Sequence, residues 1–388
     1  MRIAHVSDCY LPRLGGIEMQ IHDLATRQRM SGLDVEVLTP TRASAGGPGL
    51  AEPDPDWVHR ISQQSAHQTT RALAAAVSAR QLVTAQRYDV VHVHASVFSP
   101  FATAAAYAAT RAGVPTVVTI HSLWAGLGPL PRMADVAMRV RTWPVVWSTV
   151  SEKAAAPLRL MLGEGRPVVV LPNGIDAQTW RTDLRRRDTR TVTVISVMRL
   201  ASRKRPLALL QMMRHVRCLV APDIAIRLVL VGDGPLRPAL ARYLHRYDMA
   251  DWVTMPGQLE RPEIRSIFAS ADVYVAPAEL ESFGIAALEA RSAGLPVVAS
   301  SRGGVDEFIT HGYEGLLAGD DAEMVEALVA IIADATLRGA ITRHNHDVAP
   351  RVSWPMVLDR AARLYDQASG LVSPPRLDEA ARATWAAA

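Results

Sequence analysis

Short runs of β-branched and apolar residues recur along the chain, and a helical pattern follows most of them. In the first half the runs fall at residues 2–7, 35–38, 89–94, 114–121, 143–150 and 168–171. In the second they fall at 192–197, 227–231, 253–257, 273–277 and 297–299, and residues 312–317 close that series. Continuous apolar runs of this length suit strands buried on both faces, and alternation with helices implies parallel pairing. The fold class is therefore α/β. Each half carries its own series, which predicts two Rossmann-like, doubly wound parallel-sheet domains facing a cleft. A chain of 388 residues is long enough for two cores. Helices are expected at 17–30, after residue 94, after 151 with an interruption or restart at Pro157, from Pro206, and at 265–271. Further helices are expected after Ser282, at 324–332 and 337–343, and at 354–367, with a frayed tail from Ser369.

Several classes of protein are excluded early. The apolar start is too short for a signal peptide and runs into Asp8. The longest uncharged run, 95–110, contains Pro100 and falls short of the ~20 residues that a membrane span needs. Two cysteines, Cys9 and Cys218, make no disulfide framework, which suits a reduced cytoplasmic interior. The pI is about 9.3, yet Lys153 and Lys204 are the only lysines, and the remaining basic residues are arginines. The run Arg185–Arg186–Arg187 has no interleaved aromatics and reads as a solvated charge run, so no nucleic-acid partner is expected.

The chemistry concentrates at the ends of the apolar runs, where parallel sheets bind ligands. Residues 278–299 read AELESFGIAALEARSAGLPVVA: a helix opened by Ser282 and closed by Gly294, then a buried strand. Backbone N–H groups at Phe283, Gly284 and Ile285 would face outward at the positive helix end, which suits an anion such as a diphosphate. Gly284, without Cβ, would let a ligand approach the backbone. Glu281 precedes this cradle and Glu289 follows it by roughly 7–8 Å along the axis, so the two carboxylates would bracket a diphosphate. Gly15 and Gly16 sit between the first strand and its helix and offer a second set of N–H groups. This is not G-x-G-x-x-G, so no dinucleotide fingerprint is present. Glu18 is either part of that loop's function or a first-turn acid that favours the helix. His121 ends a strand. His92 and His94 alternate onto one face; two readings are open, a zinc pair lacking a third ligand and hydrogen bonding at the strand end.

Glu281-x-Phe283-Gly284 with Leu288-Glu289 resembles the E-x7-E motif of the retaining GT-B glycosyltransferases of family four. Other residues carry the resemblance in the same order. Pro12-x-x-Gly15-Gly16 is similar to the family's phosphate-covering loop, and His121 matches its strand-end histidine. Pro172-Asn173-Gly174-Ile175-Asp176 resembles its hinge. Arg199 and Lys204 resemble its diphosphate-gripping pair, with Arg203 an alternative for one contact. Gly232-Asp233-Gly234 matches a strand-end turn. The chain departs from the pattern at Met198, where the family usually has glycine. The resemblance covers Met1 to about Gln367.

The resemblance implies retaining, metal-independent transfer of a hexosyl unit, mannosyl slightly favoured, from a nucleoside-diphosphate sugar to a lipid-linked or glycan acceptor. The donor is a co-substrate, and no cofactor is implied. Catalytic roles would fall to His121, Arg199, Lys204 and Glu281. The donor-binding set would be Gly15, Gly16, Gly232, Ser282, Phe283, Gly284, Ile285 and Glu289, with no metal ligand. Asp54-Pro55-Asp56 is formally D-x-D, a metal motif of the other large glycosyltransferase architecture, but it lies between prolines and reads as loop. Two alternatives stand beside this reading: a sugar-nucleotide 2-epimerase of the same fold and a non-catalytic nucleotide-sugar-binding protein. The implied domains are 1–172 on the acceptor side, a hinge and linker at 173–190, and a nucleotide-sugar domain at 191–350. A helix at 351–370 would cross back to the first domain, leaving a flexible tail at 371–388.

One stretch bears on the acceptor. Between residues 89 and 152 the only internal acid is Asp135, while Arg111, Arg132, Arg139 and Arg141 are basic and Trp124, Trp143 and Trp147 lie among them. Leu127, Leu130, Met133 and Met138 add apolar surface. Either a basic, Trp-flanked helix lies on an anionic membrane, or the tryptophans are core and the arginines solvated. The first reading places the protein peripherally at the inner face of the cell membrane; the second leaves it in the cytoplasm.

Overall fold

The computed structural model describes residues 1–43, 54–61, 88–124, 139–183 and 190–372. These divide into two compact units. The first holds the described residues of 1–150 and 154–171 together with those from Val357 on; the second holds 151–153 and 172–356.

The first unit is a seven-stranded parallel sheet in the order β3-β2-β1-β4-β5-β6-β7. Its strands are β1 (Arg2–Ser7), β2 (Asp34–Thr39), β3 (Val58–Arg60), β4 (Val90–Ala95), β5 (Thr116–Ile120), β6 (Val146–Thr149) and β7 (Val168–Val170). The second unit is a six-stranded parallel sheet in the order β10-β9-β8-β11-β12-β13. It comprises β8 (Thr191–Val197), β9 (Ala225–Val231), β10 (Val253–Gly257), β11 (Val273–Ala276), β12 (Val297–Ser300) and β13 (Gly315–Ala318). In both sheets the strand order reverses beside the first strand, between β1 and β4 and between β8 and β11. Such a switch point opens a crevice at the carboxyl edge.

Each unit has its own core. Val6, Val91, Val93, Phe101, Ile120 and Trp147 pack together in the first, and Val194, Leu209, Leu228, Val298 and Leu328 in the second. Helices that accompany the sheet of the first unit among the described residues include α1 (Gly16–Met30), α2 (Pro100–Arg111) and α3 (Glu152–Leu162). Pro206 occupies the first turn of the helix Pro206–Leu219, where a missing N–H costs nothing.

Three expectations need correction. Pro157 does not interrupt its helix; Glu152–Leu162 runs through it, and buried Ala155 and Leu158 anchor the turn around it. Ser282 does not open the next helix. That helix, Ile285–Ser292, starts two residues later from Gly284, whose φ of 90° only glycine adopts readily. The last helix, Trp354–Leu371, extends past Ser369.

Candidate active site

The carboxyl edge of the second sheet gathers most of the charged candidates. Arg199 follows β8 and is exposed, with no ion pair on its guanidinium among the described residues. The short helical turn Ser202–Lys204 then brings the Lys204 ammonium onto Glu281 Oε2. Both side chains are part-buried, 31% and 19% exposed, so the pair is set into the surface but open to a ligand. Arg203 donates to the Leu280 carbonyl at 3.1 and 3.3 Å, which ties the two loops together. Arg205, which carries no signal in the sequence, does the same work more firmly. It donates to the Pro277 carbonyl and pairs with Glu279 at 3.0 Å and Asp321 at 2.7 Å. Those acids hold its guanidinium above its usual range, with the Asp321 hydrogen bond the largest cause.

At the start of helix Ile285–Ser292, the N–H groups of Phe283, Gly284 and Ile285 find no protein acceptor among the described residues. Three unsatisfied donors at a positive helix end form an anion cradle. Packing requires a glycine at Gly284. Besides its positive φ, a Cβ would lie 2.6 Å from Val305 Cγ2, so both backbone and packing exclude a side chain. The Phe283 ring is buried against Phe308 and contributes to the site only through its backbone. Gly303 and Gly304 lie against the Glu281–Ser282 backbone, and the Gly304 N–H donates to the Glu281 carbonyl at 2.8 Å.

Glu289 is buried at 7% exposure, with the Arg261 guanidinium 4.0 Å away. Tyr274, on β11, was not anticipated. It sits close enough to both carboxylates that Glu281 and Glu289, after burial, push its phenol upward, and its hydroxyl donates to the Val197 carbonyl at 3.3 Å. Nothing in the run VYVAP distinguishes that tyrosine from a core residue. Gly232, with φ of 129°, brings the turn after β9 against the loop after β8. The Met198 N–H donates to Val231 and the Leu200 N–H to Asp233.

The first unit carries the remaining candidates. Gly15 precedes α1 and Gly16 begins it; Glu18 in its first turn is buried at 3% exposure and pairs with Arg13 at 3.0 Å. His121 directly follows β5, buried, with Nε2 2.9 Å from His94 Nδ1. Burial pushes the His121 imidazole down to about 4. His92 and His94 do not stand alone. His5, on β1, completes a buried group in which one ring nitrogen from each of the three histidines lies within 4.8 Å of the other two. Asp54 is engaged by Arg60 in a bidentate pair, which satisfies the formal D-x-D residue as loop structure. Trp143 and Trp147 are core residues, so the structure takes them out of any surface helix. Leu127, Leu130, Arg132, Met133, Asp135, Met138 and the run at Arg185 lie outside the described residues.

Two doubly wound parallel sheets of this order, with charge and unsatisfied N–H groups at the carboxyl edge, define the GT-B class of glycosyltransferases. Residues 14–179 match the family described as Glycosyltransferase Family 4, and residues 191–334 match Glycosyl transferases group 1. The chain is 30% identical to a D-inositol 3-phosphate glycosyltransferase of Pseudarthrobacter chlorophenolicus over 351 residues, covering 81% of this chain and 82% of that one. It is 26% identical to the gpi3 subunit of the phosphatidylinositol N-acetylglucosaminyltransferase of Schizosaccharomyces pombe, over 93% of this chain and 79% of that one. Among solved structures, Anabaena HepE in complex with UDP-glucose superimposes with a TM-score of 0.73 at 18% identity, covering 94% of this chain and 99% of that one. The chain belongs to glycosyltransferase family four, of the group 1 type, and is a glycosyltransferase.

Proposed function

We propose that the protein transfers a hexosyl unit from a nucleoside-diphosphate sugar with retention of anomeric configuration. The observation that carries this is the Lys204–Glu281 pair beside three backbone N–H groups with no protein acceptor among the described residues. Arg199, Lys204 and that cradle meet the charge that builds on a departing diphosphate, and preorganised stabilisation of this kind is often the largest catalytic term. Glu281 holds sugar hydroxyls and, by pairing with Lys204, keeps the ammonium in place before the donor arrives. Glu289 reaches the ribose. His121, Gly15 and Gly16 are assigned to the sugar and phosphates, and Gly232 supports the loop that bears Arg199. The departing diphosphate itself assists the acceptor hydroxyl, so the reading requires no protein nucleophile.

The bacterial and yeast relatives act, by their names, on inositol phosphate and on phosphatidylinositol. An inositol-type polyol, free or lipid-linked, is therefore the acceptor we favour over other glycans. Those names do not favour mannose, and the sugar stays open among hexoses. The test is a panel of UDP-, GDP- and ADP-sugars scored for thermal stabilisation, followed by turnover with inositol phosphate and the anomer read by NMR. One nucleotide series should stabilise the protein, and turnover should survive EDTA because two cationic side chains already serve the diphosphate. Activity lost to chelator and restored by Mn²⁺ would overturn the diphosphate assignment. Epimer release from donor alone would overturn transfer in favour of epimerisation.

A peripheral contact with anionic membrane belongs to the same proposal. No described helix is long and apolar enough to cross a membrane. Phe98 is 80% exposed beside Val97, and Arg139 and Arg141 are exposed in the same unit. Co-sedimentation with anionic but not zwitterionic vesicles, weakened by Arg139→Glu/Arg141→Glu, is the expected result. Equal absence from both at low salt would leave a soluble acceptor.

A further inference from the structure

Arg205 has an unusual backbone for its residue type. Its φ of 56° and ψ of 41° place it in the left-handed region. Among the described residues, Arg139 and Asp248 are the only other non-glycine residues with a positive φ. Glycine reaches that conformation without the clash between Cβ and carbonyl oxygen that other residues meet. Pro206 follows, and a proline biases the residue before it toward extended backbone, which adds to the strain. The backbone is held in place on both sides. The Arg205 N–H donates to the Ser202 carbonyl at 3.0 Å, closing the turn Ser202–Lys204, and its carbonyl accepts the Leu209 N–H at 3.1 Å, opening helix Pro206–Leu219. A glycine would suit that backbone better, so the arginine side chain must offset the strain.

The guanidinium donates to the Pro277 carbonyl at 3.1 Å and pairs with Glu279 at 3.0 Å and Asp321 at 2.7 Å. Glu279 pairs in turn with Arg302 at 3.3 Å. Acid and base alternate along this series, and each residue follows a different strand: Arg205 follows β8, Glu279 β11, Arg302 β12 and Asp321 β13. Those strands are successive neighbours in the second sheet. One line of charge therefore laces together the loops at the carboxyl edge.

Its members are half-buried or, at Arg302, exposed, and ion pairs so open to water add little to global stability. Strain that global stability does not explain is a mark of functional sites. Here the neighbours supply the function. Lys204 directly precedes Arg205, and Glu281 lies two residues beyond Glu279. The pair Arg205–Glu279 thus stands beside the pair Lys204–Glu281 and joins the same two loops.

We propose that Arg205 is a positioning residue: by spanning Pro277, Glu279 and Asp321 it holds the Lys204 loop against the Glu281 loop before a diphosphate arrives. The proposal rests on the donor-site reading of Lys204. Without the clamp the two loops sample other separations, and only the fraction in the competent arrangement binds, so the apparent Kd rises in inverse proportion to that fraction.

The test titrates UDP, GDP and ADP into the full-length protein by calorimetry and records ligand-free melts. Arg205→Gly loses the clamp and relieves the backbone, whereas Arg205→Ala loses the clamp and keeps the strain. The glycine variant is expected to melt about 2–4 °C above the alanine variant. Both are nonetheless expected to weaken nucleoside-diphosphate binding by the same factor, about 3–10-fold, at unchanged stoichiometry. Arg205→Lys keeps the charge but not the planar fork, and should restore part of that affinity. A merely structural role gives a different pattern: affinity would follow Tm, or stoichiometry would fall at constant Kd. Either result would overturn the proposal, as would an unchanged Kd in Arg205→Ala. Asp321→Asn loosens the clamp at its far end and leaves Arg205 in place, with an expected weakening of about 2–5-fold. Equal or tighter binding in that variant, as a released guanidinium reaching the diphosphate itself would give, overturns the positioning role. Unchanged affinity in Lys204→Ala would overturn the donor-site reading and the clamp's use with it. Weakened Lys204→Ala beside normal Arg205 variants would overturn the clamp alone.

Discussion

Lys204→Ala and Glu281→Ala are each expected to lower the transfer rate about 10²–10³-fold while the protein stays folded. The magnitude is that of losing one preorganised charge-stabilising donor, about 2.7–4 kcal/mol of transition-state stabilisation. The two substitutions should act differently on binding. Lys204→Ala removes a positive charge aimed at the diphosphate, so both donor affinity and turnover fall. Glu281→Ala frees Lys204 from its partner but removes the group assigned to the sugar hydroxyls, so turnover falls more than nucleotide affinity does. Neither side chain is in the core, at 31% and 19% exposed, and no buried cavity opens when either is truncated. The checks are steady-state kinetics, nucleoside-diphosphate binding by calorimetry and a thermal melt of each variant. A purified, folded Glu281→Ala with near-normal turnover would take Glu281 out of the mechanism.

The sheets were largely legible because a strand buried on both faces leaves a continuous apolar run, and this chain has such a run for nearly every strand. The exception is β3, three residues at a sheet edge whose His59 and Arg60 are half-buried and carry no alternation. Helix Arg237–Arg246 was not anticipated from sequence, although Leu240 and Leu244 recur one turn apart on its buried side. Ser282 misled for a local reason. It is the residue type that caps helices, but φ of 90° at Gly284 resets the chain and starts the helix there. The pairing of Lys204 with Glu281 joins residues 77 positions apart; the helix-entry cradle pointed to Glu281, and only the family resemblance led to Lys204. The surroundings of the buried histidines were hidden most fully. His5 bonds to Gln28 and to His94, 23 and 89 residues away, and His92 to Tyr365, 273 away, and neither Gln28 nor Tyr365 carries any local signal of a role.

Gly232→Ala is expected to destabilise the second unit by about 4 kcal/mol or more, the range reached only by a few mechanisms. Two costs combine at this position. A φ of 129° lies outside every region an alanine adopts readily, a strain of about 1–3 kcal/mol. In addition, a Cβ would sit 1.9 Å from the Met198 carbonyl oxygen, a backbone atom that cannot rotate away. That carbonyl cannot retreat cheaply either, because the Met198 N–H is bonded to Val231 at 3.0 Å and the Gly232 N–H to Gly257 at 2.7 Å. Gly257→Ala provides the comparison. Its φ is 96°, but the nearest atom to an added Cβ is the end of the Arg237 side chain at 3.6 Å, so only the strain applies. For a unit of this size each kcal/mol moves Tm by about 2–4 °C, so Gly232→Ala should lose roughly 8–16 °C and Gly257→Ala clearly less. Equal losses for the two would show that the Met198 contact is not tight. The contact also has a functional consequence, since the displaced segment is the one that leads into Arg199 and on to Lys204. Wherever Gly232→Ala remains folded, its nucleoside-diphosphate affinity should fall in step with the shift of that loop, although the substituted residue itself supplies no charge. Met198, which stands where the family usually has glycine, is accommodated because its carbonyl, not its side chain, faces Gly232. The close approach is met by the glycine in the turn after β9.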